Sequence, residues 1–231
     1  MVQDCLELRV RIAVDHRMAR IPSTTTENAE EWANCVTHGF GFLLSVAGAV
    51  AALLVGLEHD DPRVSISLVV FGASLMLLYG ASALYHAAPC QRWRPLLQKI
   101  DHAAIFLLIA GTYTPFALVN LRGPWGWSLL AVVWVGALAG ASLKMVFAGR
   151  FVLGSTLVYL VLGWLVLLVA KPMVEHVPST GLALLGAGGI CYTTGIGFYL
   201  WHRLPFHHAI WHGFVLAGSL CHYFAVIKSV T

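Results

Sequence analysis

The sequence predicts an all-α fold, a bundle of seven transmembrane helices with a cytoplasmic N-terminus and the C-terminus outside. Three observations lead there. Of the 231 residues, 58% are hydrophobic and 11% charged, with a mean hydropathy of +0.77; a water-soluble domain needs about a quarter of its residues charged to cover its surface. Seven apolar stretches each approach the roughly 20 residues with which a helix crosses a hydrocarbon core. Lysine and arginine are distributed unevenly between the two sets of connections, and that asymmetry orients the bundle.

The seven stretches are 35–57, 64–86, 101–121, 125–147, 152–170, 181–201 and 207–227. Between them lie helix-breaking residues: Asp60-Asp61-Pro62, Pro89, Arg122-Gly123-Pro124, Gly149, Lys171-Pro172 and Leu204-Pro205. No connection is long enough for a second domain, so residues 1–29 form an N-terminal cytoplasmic segment and 30–231 one transmembrane domain. Ten basic residues fall on one side: Arg9, Arg11, Arg17 and Arg20, then Arg92, Arg94 and Lys99, then Lys144 and Arg150, then Arg203. Four fall on the other: Arg63, Arg122, Lys171 and Lys228. Positive charge marks the cytoplasmic side, which puts the N-terminus inside.

Several classes are excluded. A net charge of +3 is too small to point to nucleic acid. The five cysteines (Cys5, Cys35, Cys90, Cys191, Cys221) contain no CxxC pair and are odd in number, which suggests neither a disulfide framework nor a thiolate metal site. The first thirty residues lack the sustained apolar run of a signal peptide. Glycines inside the helices (Gly41, Gly48, Gly136, Gly140, Gly186, Gly189) are expected to admit close helix packing. Trp32, Trp93, Trp125 and Trp201 fall near the predicted membrane interfaces.

Ionisable residues inside membrane helices are expensive and mark function. In this orientation His86 closes the second helix at the cytoplasmic face. Asp101 and His102 open the third there, and His207, His208 and His212 open the seventh. Three helices therefore deliver polar groups to one depth. In His208-Ala209-Ile210-Trp211-His212 the histidines are spaced i and i+4, one turn apart on one helix face. That spacing offers two imidazoles to one ion, as in HExxH enzymes, although the glutamate of that motif is missing here. Two interfacial histidines would have the same spacing.

His86 would bring the donor set to three nitrogens, the pattern of a catalytic zinc with an open fourth position. Asp101 could bind the ion, hold and deprotonate a water beside it, or simply cap the third helix. Ser82, four residues before His86, faces the same space and could hold a water or a developing oxyanion; alone it would bond back to its own helix. Glu31, Asn34 and His38 form one stripe of the first helix, which either borders this cavity or pairs with cations of the loops. His207 points about 100° away from His208, toward the interface. His222 lies roughly 21 Å farther along the helix and cannot share the ion.

These residues also carry a family resemblance. The run Glu30-Glu31-Trp32-Ala33-Asn34-Cys35-Val36-Thr37-His38-Gly39 resembles the start of the hemolysin III family of bacterial membrane proteins. So do Ser82-Ala83-Leu84-Tyr85-His86, the run from Asp101 through Gly111-Thr112-Tyr113-Thr114-Pro115, and His208-Ala209-Ile210-Trp211-His212. The resemblance extends from about Glu30 to the C-terminus. That family belongs with the progestin and adipoQ receptors, which include the adiponectin receptors. The resemblance implies seven helices, an intracellular N-terminus, and a Zn2+ ion near the cytoplasmic side of a bacterial inner membrane. It also implies ligands at His86, His208 and His212, Asp101 beside the zinc-bound water, and Ser82 as the serine of the first motif. Relatives are linked to ceramidase-like lipid amide hydrolysis, and the bacterial branch to membrane fluidity and energetics; the family name records a haemolytic, pore-like activity.

The expected function is therefore a zinc-dependent hydrolase acting on an amide or ester of a membrane lipid. A pore or ion transporter with structural zinc is the alternative, opposed by the clustering of ionisable residues at one end. Haem is poorly served by an i, i+4 histidine pair. A retinal protein is disfavoured because Lys228, the only lysine of the seventh helix, lies at its far end.

Overall fold

In hydrocarbon every backbone N–H and C=O must be paired within the chain, so an apolar chain crosses as helices or as a closed barrel. The computed structural model, which describes residues 25–88, 92–147 and 152–231, is built of helices, with no strand among the described residues. Seven are long and apolar enough to cross a membrane: α1 Thr25–Leu57, α2 Pro62–Ala87, α3 Arg94–Leu121, α4 Gly123–Val146, α5 Val152–His176, α6 Ser179–Leu200 and α7 His207–Val230. The all-α, seven-helix expectation is met. Residues 1–24, with Cys5, and also Cys90, Pro89 and Gly149, lie outside the described residues; Cys35, Cys191 and Cys221 are free thiols.

Three helix ends differ from the hydropathy reading by more than three residues. Helix α1 begins ten residues earlier and α3 seven residues earlier, while α5 runs on to His176 and takes in the predicted break at Lys171-Pro172. The extra turns of α1 and α3 are polar, so a hydropathy window counts them as loop. Pro95 in the first turn of α3 accounts for its start, since a proline there sacrifices no helical hydrogen bond. Asp101 consequently lies inside α3 and is not its cap; Trp93 takes that position. At the start of α2, Asp61 does cap, its side chain accepting from Arg63 N at 3.0 Å.

Helices α2 and α3 form the interior. In their most apolar windows 56% and 67% of residues are buried, against 17–33% in the other five helices. The rim helices turn Leu43, Leu54, Val135, Val161 and Leu168 outward, an apolar coat too extensive for a surface in water. Small residues set the spacing as expected at Gly41, where a Cβ would come within 2.5 Å of the Tyr79 ring, and at Gly136, within 2.9 Å of Leu162. Gly186 departs from that expectation: nothing lies within 4 Å of its Cβ position, and it opens onto an internal cavity.

Two irregular turns shape that cavity. After Pro115, α3 widens into a π-helical turn over Phe116–Leu121, because proline cannot donate to the preceding turn. Thr112 and Thr114 hydroxyls donate to the Leu108 and Ala110 carbonyls, each at 2.8 Å. Across from them α5 tightens into a 3-10 turn over Leu165–Val169. Tyr113 serves that turn, its hydroxyl donating to Gly163 O at 2.7 Å and accepting from Val166 N at 2.8 Å.

Candidate metal centre

His86 occupies the last turn of α2, and His208 and His212 the first two turns of α7. Each of the three offers a ring nitrogen lying within 4.8 Å of the other two. The ring centroids are 5.1 Å apart for His86–His208, 5.0 Å for His86–His212 and 4.6 Å for His208–His212. Imidazoles bound tetrahedrally to one ion at about 2.0–2.1 Å place their centroids roughly 5 Å apart. His86 Nε2, His208 Nε2 and both nitrogens of His212 are buried without a hydrogen-bond partner. Orphaned polar atoms of this kind are costly, and a nitrogen-preferring ion such as zinc fits the donor set. His212 is entirely buried.

Asp101 and Ser82 border this triad. Asp101 is buried in the second turn of α3, facing His86 and the Ser82 hydroxyl. Ser82 Oγ is buried, faces the Asp101 carboxyl and makes no hydrogen bond to its own helix, so the back-bonded alternative for this serine is not realised.

The stripe on α1 also reaches the centre. Glu31 Oε2 accepts a hydrogen bond from His86 Nδ1 at 2.6 Å, and its other oxygen pairs with the guanidinium of Arg94. His38 stacks on His212, with centroids 3.4 Å apart and 12° between the rings, and meets Tyr79 edge-on at 5.0 Å. Asn34, one turn before His38, is buried with them. Of the two alternatives for this stripe, Asn34 and His38 border the site, and Glu31 does so while also pairing with a cation.

His207 is half-buried outside the triad, beside the exposed ring of His202 at 5.1 Å. His222 is remote, its Nε2 lying 3.1 Å from Leu185 O. Two residues counted only as loop charges turn inward. Arg94 is 1% exposed and stands over the Tyr85 ring at 4.8 Å. Lys144 lies on the buried stripe of α4 with Gly140 and Ala137, near His102. For Lys144 the signal was its i+4 spacing from Gly140 on that stripe, and for Arg94 it was the proline that follows.

An internal cavity of about 340 Å³ touches the centre through His38 and Asp101. It is lined along α5 from Ser155 to Val174 and reaches His222 on α7. At 1.5 Å per residue its α5 wall is about 28 Å long. Leu167 and Val174 of α5 and Thr193 of α6 line it and are also exposed, so it opens sideways between those two helices.

The family model described as haemolysin-III related matches residues 26–223. The chain belongs to the hemolysin III family. It is 45% identical over 198 residues to hemolysin-3 of Bacillus cereus, covering 86% of this chain and 90% of that protein. The hemolysin-3 homolog of Bacillus subtilis is 46% identical over 198 residues, 86% and 93% of the two chains. More distant is the human monocyte to macrophage differentiation factor, 28% identical over 207 residues and covering 86% and 84%. Membership in the hemolysin III family agrees with the motif resemblance, and with seven apolar helices it makes the chain a multi-pass membrane protein. The match includes the first turns of α1 that hydropathy leaves out.

Proposed function

We propose that this hemolysin III protein binds zinc and hydrolyses an amide or ester bond of a membrane lipid, acting on the lipid composition and fluidity of a bacterial inner membrane. The observation that carries this reading is the convergence of three unpaired imidazole nitrogens with a buried carboxyl and hydroxyl, beside a long apolar cavity open between two helices. His86, His208 and His212 would hold a zinc ion, which would supply a Lewis acid and lower the pKa of water toward about 7. Asp101 accepts the proton of the attacking water and returns it to the leaving nitrogen or oxygen. Ser82 donates to the oxygen on which negative charge develops. The acyl chain enters past Leu167 and Val174 and lies along α5, leaving its linkage near Asp101. The excess of lysine and arginine on this side of the bundle, ten against four, supports a cytoplasmic position for this chemistry, with the N-terminus inside.

Metal analysis and lipid hydrolysis test this together. Purified protein is expected to carry about one zinc per chain, lost in His86→Ala and His208→Ala; full retention in both variants removes the site. Fatty acid release from ceramide-like substrates is expected to stop in Asp101→Asn while zinc is kept. Ion flux through liposomes that ignores the histidines, with no fatty acid released, would support the pore instead.

A further inference from the structure

We propose that Glu31 and Arg94 are the positioning pair of this centre: Glu31 sets the tautomer and orientation of His86, and Arg94 holds Glu31 in place. The inference rests on the metal-binding reading of His86, His208 and His212. It concerns how α1 and α3, which supply no ligand, determine the affinity of the site.

An imidazole that ligates through one nitrogen is fixed by the hydrogen bond its other nitrogen makes. His86 has this division. Its Nδ1 lies 2.6 Å from Glu31 Oε2, whereas its Nε2 is unpaired and turned among His208 and His212. A carboxylate only accepts, so the His86 proton resides on Nδ1 and the lone pair of Nε2 is left toward the ion. Without Glu31, the ring can carry its proton on Nε2 or swing away.

Arg94 needs an explanation of its own. A cation in the first turn of a helix opposes the helix dipole, yet Arg94 opens α3 and is almost completely buried. Its Nη2 pairs with Glu31 Oε1, Nη1 lies 3.5 Å from the Tyr85 carbonyl, and the guanidinium covers the Tyr85 ring. Those contacts hold it against α1 and the residue preceding His86. Through Glu31, one relay pins α1 and α3 to the last turn of α2. Arg94 touches no proposed ligand and acts through Glu31.

The test is zinc affinity, measured by competition with a chromophoric chelator on purified protein in detergent. Glu31→Gln, nearly isosteric, is expected to weaken zinc binding about 10- to 100-fold. Arg94→Met is expected to weaken it less, and the double variant no more than Glu31→Gln alone. In cobalt-loaded protein the visible bands should shift in Glu31→Gln, a change a merely structural role would not produce. Wild-type protein that binds no zinc overturns the metal reading and this inference together. Tight wild-type binding that Glu31→Gln leaves within about twofold, with a lower thermal midpoint of the metal-free variant, overturns only the positioning role. Should Arg94→Met fail to fold, Glu31→Gln and its cobalt spectrum still decide.

Discussion

His212 contributes the most enclosed of the three imidazoles, packed ring on ring against His38 and edge-on to His86. Its partnership with His208 was legible as an i, i+4 spacing, and the arrival of His86 and Asp101 at the same depth followed from span order and loop charge. What supports them was legible only as one of two alternatives for the Glu31, Asn34 and His38 stripe. His38 and Glu31 lie more than forty residues before any ligand, and nothing local in a sequence says which stripe of α1 faces which helix. Ser82 presents a cleaner case. Its hydroxyl is buried facing the Asp101 carboxyl and bonds to no backbone group, so it contributes little to holding the helices of the resting fold. On the proposed chemistry, Ser82→Ala should reduce lipid hydrolysis by about 10²-fold, the effect of removing one oxyanion donor, with zinc content and thermal midpoint unchanged. A loss of zinc equal to the loss of activity would make Ser82 part of metal binding and not of the reaction.

Helices were easier to read than their ends. Each apolar span survives as a helix, because twenty apolar residues in lipid have no other way to pair their backbone. The polar turns that extend α1 and α3 were missed, and the internal turns of α3 and α5 have no hydropathy signature. Pro115 does signal the widening of α3. The 3-10 turn of α5 depends on a tertiary contact, the Tyr113 hydroxyl that bridges Gly163 O and Val166 N. Tyr113→Phe removes a donor and an acceptor at once, taking this partner from the Gly163 carbonyl and the Val166 N–H; a buried group left unsatisfied costs about 1–3 kcal/mol where water is excluded. The expected result is a lower unfolding midpoint in detergent and faster cleavage within α5 under limited proteolysis. An unchanged midpoint would mean that the turn is set by the packing of α5 alone.

Across the whole molecule the two ends of the bundle are tied differently. Away from the centre, Asn120 Nδ2 donates to Ser229 O at 2.8 Å, His59 Nε2 to Val230 O at 2.9 Å, and Arg122 pairs with Asp61 at 3.1 Å. Direct hydrogen bonds thus join α3 and the α1–α2 connection to α7 there, and an ion pair joins the α1–α2 and α3–α4 connections. At the other end the Glu31–Arg94 relay ties α1 and α3 to α2, but His86 on α2 and His208 and His212 on α7 present unpaired nitrogens to one another, so the α2–α7 cross-link at this centre forms only when an ion is bound. Zinc should therefore stabilise the fold by linkage: at a free concentration 100 times Kd the gain is about 2.7 kcal/mol, or an increase of about 5–10 °C in midpoint for a chain of this length. His212→Ala should abolish that shift. Asn120→Ala should lower the metal-free midpoint yet retain the full increment on adding zinc, because it weakens the opposite end without touching a ligand. The measurement is a thermal denaturation series in detergent over a buffered range of free zinc. An increment of the same size in His212→Ala would place the stabilising ion elsewhere on the molecule and leave the α2–α7 cross-link without support.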